Sequence, residues 1–331
     1  MKVRRQLLVV GASLALGALP LATLASSPAS ATSPNGTIHY MPTLKGSGNG
    51  NGNGGGGGHH GPKSSNLYYH GGISDGGSVA IGVETTPKVY LVLWGSQWTN
   101  NDPSGEAAIL QNFYSNVGKS AWNNTVTQYC QNVAIGSFSC TSGQPAGNPS
   151  NLFGGVWSDS TTAAPSHPTQ SQLAAEAVKA ASHFGNTTAA SNATVQYVVA
   201  TSTGNSMTGF GTSWCAWHSS TTSSYGDIAY TNLPYMTDAG VNCGANFVNG
   251  DGVTLGPTAG ITIVGGHEFA ETETDQFPNG GWLDGSGAEI GDKCAWNSAT
   301  AVEPFNFVSY PVQPLWSNAA VGGAGGCVQS Y

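Results

Sequence analysis

The 331-residue sequence is poor in charge, and beyond its first residues it contains no arginine. Only 8% of the residues are charged, whereas an ordinary soluble domain has about 25%. Apart from three basic residues near the N-terminus, six lysines stand against 17 acids. Because phosphate backbones and anionic lipids are bound by clustered cations, this composition argues against a nucleic-acid-binding protein and against a membrane-surface protein.

Several sequence signatures of catalysis and metal binding are also missing. There is no P-loop and no G-x-G-x-x-G after a predicted strand, and the one G-x-S-x-G string, Gly72 to Gly76, does not follow a predicted strand as a nucleophile elbow would. A serine hydrolase is therefore the last of the functions that we consider. No C-x-x-C pair occurs either, which disfavours a zinc site made of cysteine thiolates.

Residues 1–31 have the order of a secretory signal peptide. Three basic residues precede the apolar run Leu7 to Leu24, and the small residues Ala29-Ser30-Ala31 follow it. We predict cleavage before Thr32 and secretion; a membrane anchor at Leu7 to Leu24 is the alternative, although glycine and proline interrupt that run. No later stretch is apolar enough to span a bilayer, so we expect no membrane span after signal removal.

All six cysteines lie in the predicted mature chain, and export would place them in an oxidising environment. Three disulfides are therefore predicted. Six cysteines allow fifteen connectivities, and we predict sequential pairing because it closes short loops. The predicted pairs are Cys130–Cys140, Cys215–Cys243 and Cys294–Cys327.

The mature chain divides into a glycine-rich segment and one domain. We interpret residues 32–66 as a disordered tether, because this composition cannot bury enough apolar surface to offset the entropy lost on ordering. Residues 67–331 are enough for one domain with a substantial core. We expect this domain to be monomeric.

Strand and helix signals alternate within the domain. Lys88 to Trp94 and Thr194 to Ala200 are dense runs of β-branched and aromatic residues, as in buried strands. One helix is predicted to follow Asp102 as its N-cap, and another to follow the capping box Thr169 to Gln172. Because the strands are apolar rather than alternating, we predict a single α/β domain with a mixed or mostly parallel central sheet, flanking helices and disulfide-stapled loops.

Seven of the 17 acids are crowded between positions 268 and 292, where Lys293 is the nearest cation. Neighbouring carboxylates raise one another's pKa unless a cation lies among them, so this crowding predicts a metal ion. If a helix runs from Pro257 to about Thr274, His267 and Glu271 share one face. Their spacing is that of the two zinc ligands in H-E-x-x-H, with a glutamate in place of the second histidine.

In that pattern Glu268 has the position of the general base that activates a zinc-bound water. Glu289, which follows Glu271 on a later element, is the predicted third ligand of a Zn²⁺ ion. Asp275 and Asp284 are second choices as ligands. Asp292 is predicted to orient one of the ligands through a hydrogen bond.

Calcium is the alternative cation, because Asp284 to Glu289 together with Asp292 is an oxygen-rich, glycine-bent loop that suits a hard ion. An acidic surface without any metal is a further alternative. His218, near Cys215, could approach the acidic helix as a ligand, although a lone histidine beside a disulfide is more often structural or solvated.

Seven motifs occur in a particular order from about residue 67 to the C-terminus. They are Tyr69-His-Gly-Gly72, the strand end Leu93-Trp94, the Trp122 segment with Tyr129, Cys215-Ala-Trp-His218, His267-Glu-Phe-Ala-Glu271, the block from Trp282 to Cys294, and Leu315-Trp316. In this order they resemble the EXORDIUM, or phosphate-induced protein, family. The resemblance implies export and a shared fold, and the plant members are linked to growth signalling in the cell wall. The glycine-rich tether and the tryptophan spacing of this chain differ from the plant pattern.

We predict from these features a secreted, metal-dependent hydrolase of the zinc metallopeptidase type that acts on a peptide outside the cell, with Glu268 as general base. The alternative is a non-catalytic extracellular protein with a structural calcium site that binds cell-wall or other polysaccharide. Seven tryptophans are candidates for lining such a sugar site: Trp94, Trp98, Trp214, Trp217, Trp282, Trp296 and Trp316.

Overall fold

The computed structural model describes residues 36–46, 66–74, 80–248 and 256–331. The predicted signal peptide, residues 1–31, lies outside the described residues. The strands are β1 (His39–Pro42), β2 (Tyr68–Tyr69), β3 (Lys88–Trp94), β4 (Cys130–Gln131), β5 (Gln144–Pro145), β6 (Phe153–Asp159), β7 (Val195–Thr201), β8 (Trp214–Ser223), β9 (Gly226–Leu233), β10 (Trp282–Leu283), β11 (Ala301–Phe305), β12 (Val308–Val312), β13 (Leu315–Ser317) and β14 (Gly326–Val328). The α-helices are α1 (Glu106–Val117), α2 (Gln170–His183), α3 (Ala189–Asn192), α4 (Ala259–Thr274) and α5 (Ala320–Gly323).

The centre of the fold is a six-stranded sheet in the order β1-β8-β9-β7-β3-β6. The neighbours β9, β7, β3 and β6 run parallel to one another. At one side β8 and β1 are added as antiparallel strands. The predicted mixed, mostly parallel sheet is therefore confirmed.

Helices cover both faces of this sheet. Successive strand residues point to opposite faces, so Leu91 of β3 packs in the cluster that contains Phe113 of α1 and Ile261 of α4. Its neighbour Val92 packs on the other face with Leu173 of α2. Burial on both faces explains why the strands read as continuous apolar runs.

The helix α4 is buried on every side, since all 16 of its residues are buried. It follows a short 3-10 turn and ends at Thr274, so the helix predicted from Pro257 is confirmed. Gly265 and Gly266 allow α1 to come close, because a Cβ at either position would lie 3.3 Å or 3.2 Å from Tyr114 and Phe113. This close packing places the polar residues of α4 in the interior.

The first residues of α1 and α2 can be compared with the capping signals in the sequence. The capping box at Thr169 is confirmed, with α2 beginning at the next residue. Helix α1 begins at Glu106 rather than directly after Asp102, because Gly105 has a left-handed conformation with φ 67°. The Asp102 carboxylate still accepts hydrogen bonds from the first two backbone N–H groups of the helix, at 2.7 and 3.2 Å.

The prediction of a disordered tether over residues 32–66 is wrong for the segment that forms β1. This strand pairs antiparallel with β8, Met41 is completely buried, and the Pro42 carbonyl accepts a hydrogen bond from Trp296 Nε1 at 2.7 Å. The composition argument failed because it averaged the apolar run Ile38 to Met41 with the glycines that follow. Residues 32–35 and 47–65 of the predicted tether lie outside the described residues.

The three disulfides join the predicted partners, Cys130–Cys140, Cys215–Cys243 and Cys294–Cys327, with Cα atoms 5.4–5.7 Å apart. Three disulfides fit an extracellular protein. In the part of the chain that the structure describes, none of the helices has the length and apolar character needed to cross a membrane.

Candidate metal centre

Helix α4 places His267 and Glu271 side by side in the interior. They are one helical turn apart, and His267 Nε2 lies 3.0 Å from Glu271 Oε1. Both side chains are buried. The two residues therefore share a face of the helix, as their spacing predicts.

The side chain of Gln313 holds the His267 ring in one orientation. Gln313 Oε1 accepts a hydrogen bond from His267 Nδ1 at 3.1 Å, and Gln313 Nε2 donates to the carbonyl of Gly291 at 2.8 Å. Because an amide oxygen can only accept, Nδ1 carries a proton and Nε2 faces Glu271. A metal-ligating histidine is commonly oriented through its other ring nitrogen in this way.

The turn after β10 brings Asp292 to the same place. Its backbone N–H donates to Glu271 Oε1 at 2.9 Å, and its Oδ1 lies 3.9 Å from His267 Nε2. His267, Glu271 and Asp292 offer ligand atoms that all lie within 4.8 Å of one another, and these residues could hold a metal ion. We call this group the helix site.

Glu289, the predicted third ligand, lies in a neighbouring group instead. Its Oε2 lies 3.1 Å from His218 Nε2 of β8 and 2.6 Å from His39 Nδ1 of β1. His39, His218 and Glu289 could also hold a metal ion, and we call this group the strand site. The turn between Glu289 and Asp292 directs their carboxylates to different groups, so Asp292 replaces Glu289 beside His267.

Glu268 forms a third group with His218 of the strand site and Glu271 of the helix site; the ligand atoms of these three residues also lie within 4.8 Å of one another and could hold a metal ion. The side chain is completely buried, and neither carboxylate oxygen has a hydrogen-bond partner among the described residues. Burial and the nearby Glu271 raise the pKa of Glu268 well above its ordinary value. A buried, unpaired carboxylate is costly unless it takes up a proton or lies near a cation.

The carboxylates of the cluster favour the protonated forms of His267 and His39. Burial is the largest single effect and lowers the pKa of His267, but Glu271, Glu268 and Asp292 together raise this pKa to about 10. Glu289 likewise raises the pKa of His39 to about 11 against the effect of burial. Burial and Glu271 raise the pKa of Asp292 to about 8. A divalent cation would take the place of these protons, so metal binding should release them.

Asp275 and Asp284, the second-choice ligands, lie outside both sites. The Asp275 carboxylate accepts hydrogen bonds from two backbone N–H groups of the turn that follows α4, both at 2.9 Å. Asp284 accepts a hydrogen bond from Lys293 Nζ at 2.7 Å. The carboxylates of the proposed calcium loop therefore do not converge on one point, because Asp284 faces Lys293 while Glu289 faces two histidines.

Sequence reasoning missed His39 and Gln313 and gave His218 only a minor role. His39 was assigned to the tether, although the apolar run Ile38 to Met41 around it is a weak strand signal. A single glutamine such as Gln313 gives no spacing signal. His218 proves to be buried and directed at Glu289 rather than solvated.

Comparisons of the chain with protein-family models, with curated proteins and with solved structures returned no match. The resemblance to the EXORDIUM family stays a prediction. Function is therefore inferred from the geometry of the two sites.

Proposed function

We propose that the chain is an extracellular metal-dependent hydrolase whose zinc ion is bound at the helix site by His267, Glu271 and Asp292. The observation that supports this most directly is the buried Glu268 carboxylate, because neither of its oxygens has a hydrogen-bond partner within the described part of the chain, although the carboxylate lies beside the ligand atoms. A carboxylate in this state needs a positive neighbour or a proton, and a zinc ion with a bound water would satisfy it.

The donor atoms favour zinc over calcium. Each site combines imidazole nitrogen with carboxylate oxygen, a set that suits Zn²⁺. Calcium is normally bound by six to eight oxygen ligands, whereas histidine offers a nitrogen. Three protein ligands at the helix site leave a fourth position for water or substrate, as in catalytic zinc sites.

Glu268 is the proposed general base. Zinc bound at the helix site would polarise a carbonyl and lower the pKa of its bound water to about 7. The Glu268 carboxylate, adjacent in sequence to the ligand His267, would accept the proton of that water. Its burial favours a high pKa, which helps it to return the proton to a leaving amine afterwards.

A peptide is the proposed substrate, and it would enter from the side of His39 and Asp292. These two side chains are 13% and 24% exposed, whereas the other members of both sites are buried. The alternative of a polysaccharide-binding protein has less support, because the candidate tryptophans do not form an exposed surface. Six of the seven are buried, and Trp316 is partly buried.

The test is to compare the secreted chain with its Glu268→Gln variant in zinc content and in hydrolysis of a peptide library. The variant keeps the size of the side chain but loses the basic carboxylate. We expect the variant to retain zinc and fold while turnover falls by roughly two to four orders of magnitude.

Glu273→Gln is the matched control, because Glu273 is also a fully buried acid of α4 but is not a member of either site. It should retain full turnover per folded molecule. Equal activity of wild type and Glu268→Gln would remove the proposed base. Absence of bound zinc from the wild type, or binding of calcium in its place, would overturn the proposal as a whole.

A further inference from the structure

The strand site brings together residues that are remote in sequence. His39 is 250 residues from Glu289, and His218 is 71 residues from it. His39 and His218 are directly paired in the antiparallel register of β1 and β8. Paired residues point to the same face of a sheet, so both imidazoles face Glu289 beside α4. A slip of one residue in this register would turn His39 to the opposite face.

The donor atoms of the strand site are incompletely used by the protein itself. Glu289 Oε1 is buried without a hydrogen-bond partner among the described residues. Glu289 Oε2 is contacted by both histidines, at 2.6 and 3.1 Å. Ligand atoms around a tetrahedral zinc ion are about 3.3 Å apart when the bonds are about 2.0 Å long, so a small outward shift would accommodate an ion.

Glu271 connects the two sites through its two carboxylate oxygens. Oε1 lies 3.0 Å from His267 Nε2 in the helix site, and Oε2 lies 3.8 Å from His218 Nε2 in the strand site. A carboxylate placed in this way can bridge two metal ions. In hydrolases with two-metal centres the ions are about 3.5–4 Å apart and act on the same substrate.

We propose that His39, His218 and Glu289 bind a second ion of the zinc class, and that Glu271 bridges it to the ion of the helix site. This inference rests on the proposed function for its first ion and adds a two-metal centre to it. Strand β1 would then provide the metal ligand His39 as well as forming one edge of the sheet. The second ion would stabilise the attacking water or the developing oxyanion of the substrate opposite the first.

The test is to measure the metal content of the secreted chain by elemental analysis after equilibration with zinc and removal of excess metal. His39→Gln is the informative variant, because glutamine keeps a donor for Glu289 but does not provide an imidazole. Tyr40→Gln is the matched control on the same strand, since Tyr40 is 44% exposed and outside both sites. Circular dichroism checks that each variant is folded.

We expect two zinc ions per chain in the wild type and in Tyr40→Gln, and one in His39→Gln. One ion in all three proteins would overturn the second site and leave the proposed function in place. One ion in the wild type that disappears in His39→Gln would place the metal at the strand site alone and overturn the two-metal centre. No ion in the wild type would overturn both proposals.

Discussion

The backbone N–H of Glu84 donates a hydrogen bond to the carbonyl of Glu273 in α4 at 2.9 Å, and both side chains are completely buried. Gln196 Nε2 donates to Glu84 Oε2 at 3.0 Å, while Glu84 Oε1 has no hydrogen-bond partner among the described residues. Burial raises the pKa of Glu84 from 4.5 to about 8. The acid is therefore protonated in the folded protein near neutral pH.

The raised pKa of Glu84 predicts that the folded protein loses stability as the pH rises. Between about pH 5 and pH 8 folded Glu84 keeps its proton while the unfolded chain loses it, so the folded state binds more protons and its stability falls. The titration of Glu84 changes the free energy of unfolding by at most about 1.4 kcal/mol per pH unit. Glu84→Gln, a mimic of the protonated acid, should match wild type at pH 5 and exceed it at pH 8.

Urea denaturation of both proteins at several pH values measures this difference. Because the candidate metal sites are the same in both proteins, their own titration cancels in the comparison. Parallel pH profiles for wild type and Glu84→Gln would contradict a raised pKa at Glu84.

The burial of Met41 predicts that β1 is part of the folded domain. Replacing a completely buried methionine by alanine typically costs about 2–5 kcal/mol in the free energy of unfolding. We expect Met41→Ala to lose stability in this range, and Tyr40→Ala, at an exposed position of the same strand, to lose much less. Thermal or urea unfolding measures both. Equal stability of Met41→Ala and wild type would show that β1 does not belong to the domain.

The disulfide Cys294–Cys327 joins the turn that follows Asp292 to β14. Removing a native disulfide typically costs about 2–5 kcal/mol. We expect the double variant Cys294→Ala, Cys327→Ala to unfold at a lower urea concentration and to bind zinc more weakly, because Asp292 is no longer held in place. The same double change at Cys130 and Cys140 is the control, and it should reduce stability with less effect on zinc. Identical zinc affinity in both double variants would contradict the link to Asp292.

The elements that were predicted correctly depend on signals that are close in sequence. The capping box of α2 lies within four residues, and the pair His267 and Glu271 lies within one helical turn. The strand site could not be predicted in this way, because His39 and Glu289 meet only after β1 pairs with β8 in one register. The prediction of Glu289 as a ligand beside His267 failed for the same reason. The direction of the Glu289 and Asp292 carboxylates depends on the turn between these residues.

The last prediction concerns Gly291, where the backbone passes close to the ligands of the helix site. A Cβ added at this position would lie 2.8 Å from Glu271 Oε1 and 2.8 Å from His267 Nδ1. Contacts this short require the ligands or the turn to shift. Because displacement of groups that orient a ligand typically costs 10–100-fold in metal affinity, we expect Gly291→Ala to bind zinc about 10–100 times more weakly while remaining folded.

Gly285→Ala is the control in the same loop, because a Cβ there would have no heavy atom of the described residues within 4 Å, apart from its own chain neighbours. Its zinc affinity should equal that of wild type. The affinities are measured by competition with a chromophoric chelator, and melting curves of the metal-free proteins show whether either change affects the fold itself. If both glycine variants bound zinc as tightly as wild type, the metal could not lie between His267 and Glu271, because the methyl group at Gly291 would disturb any ion held there.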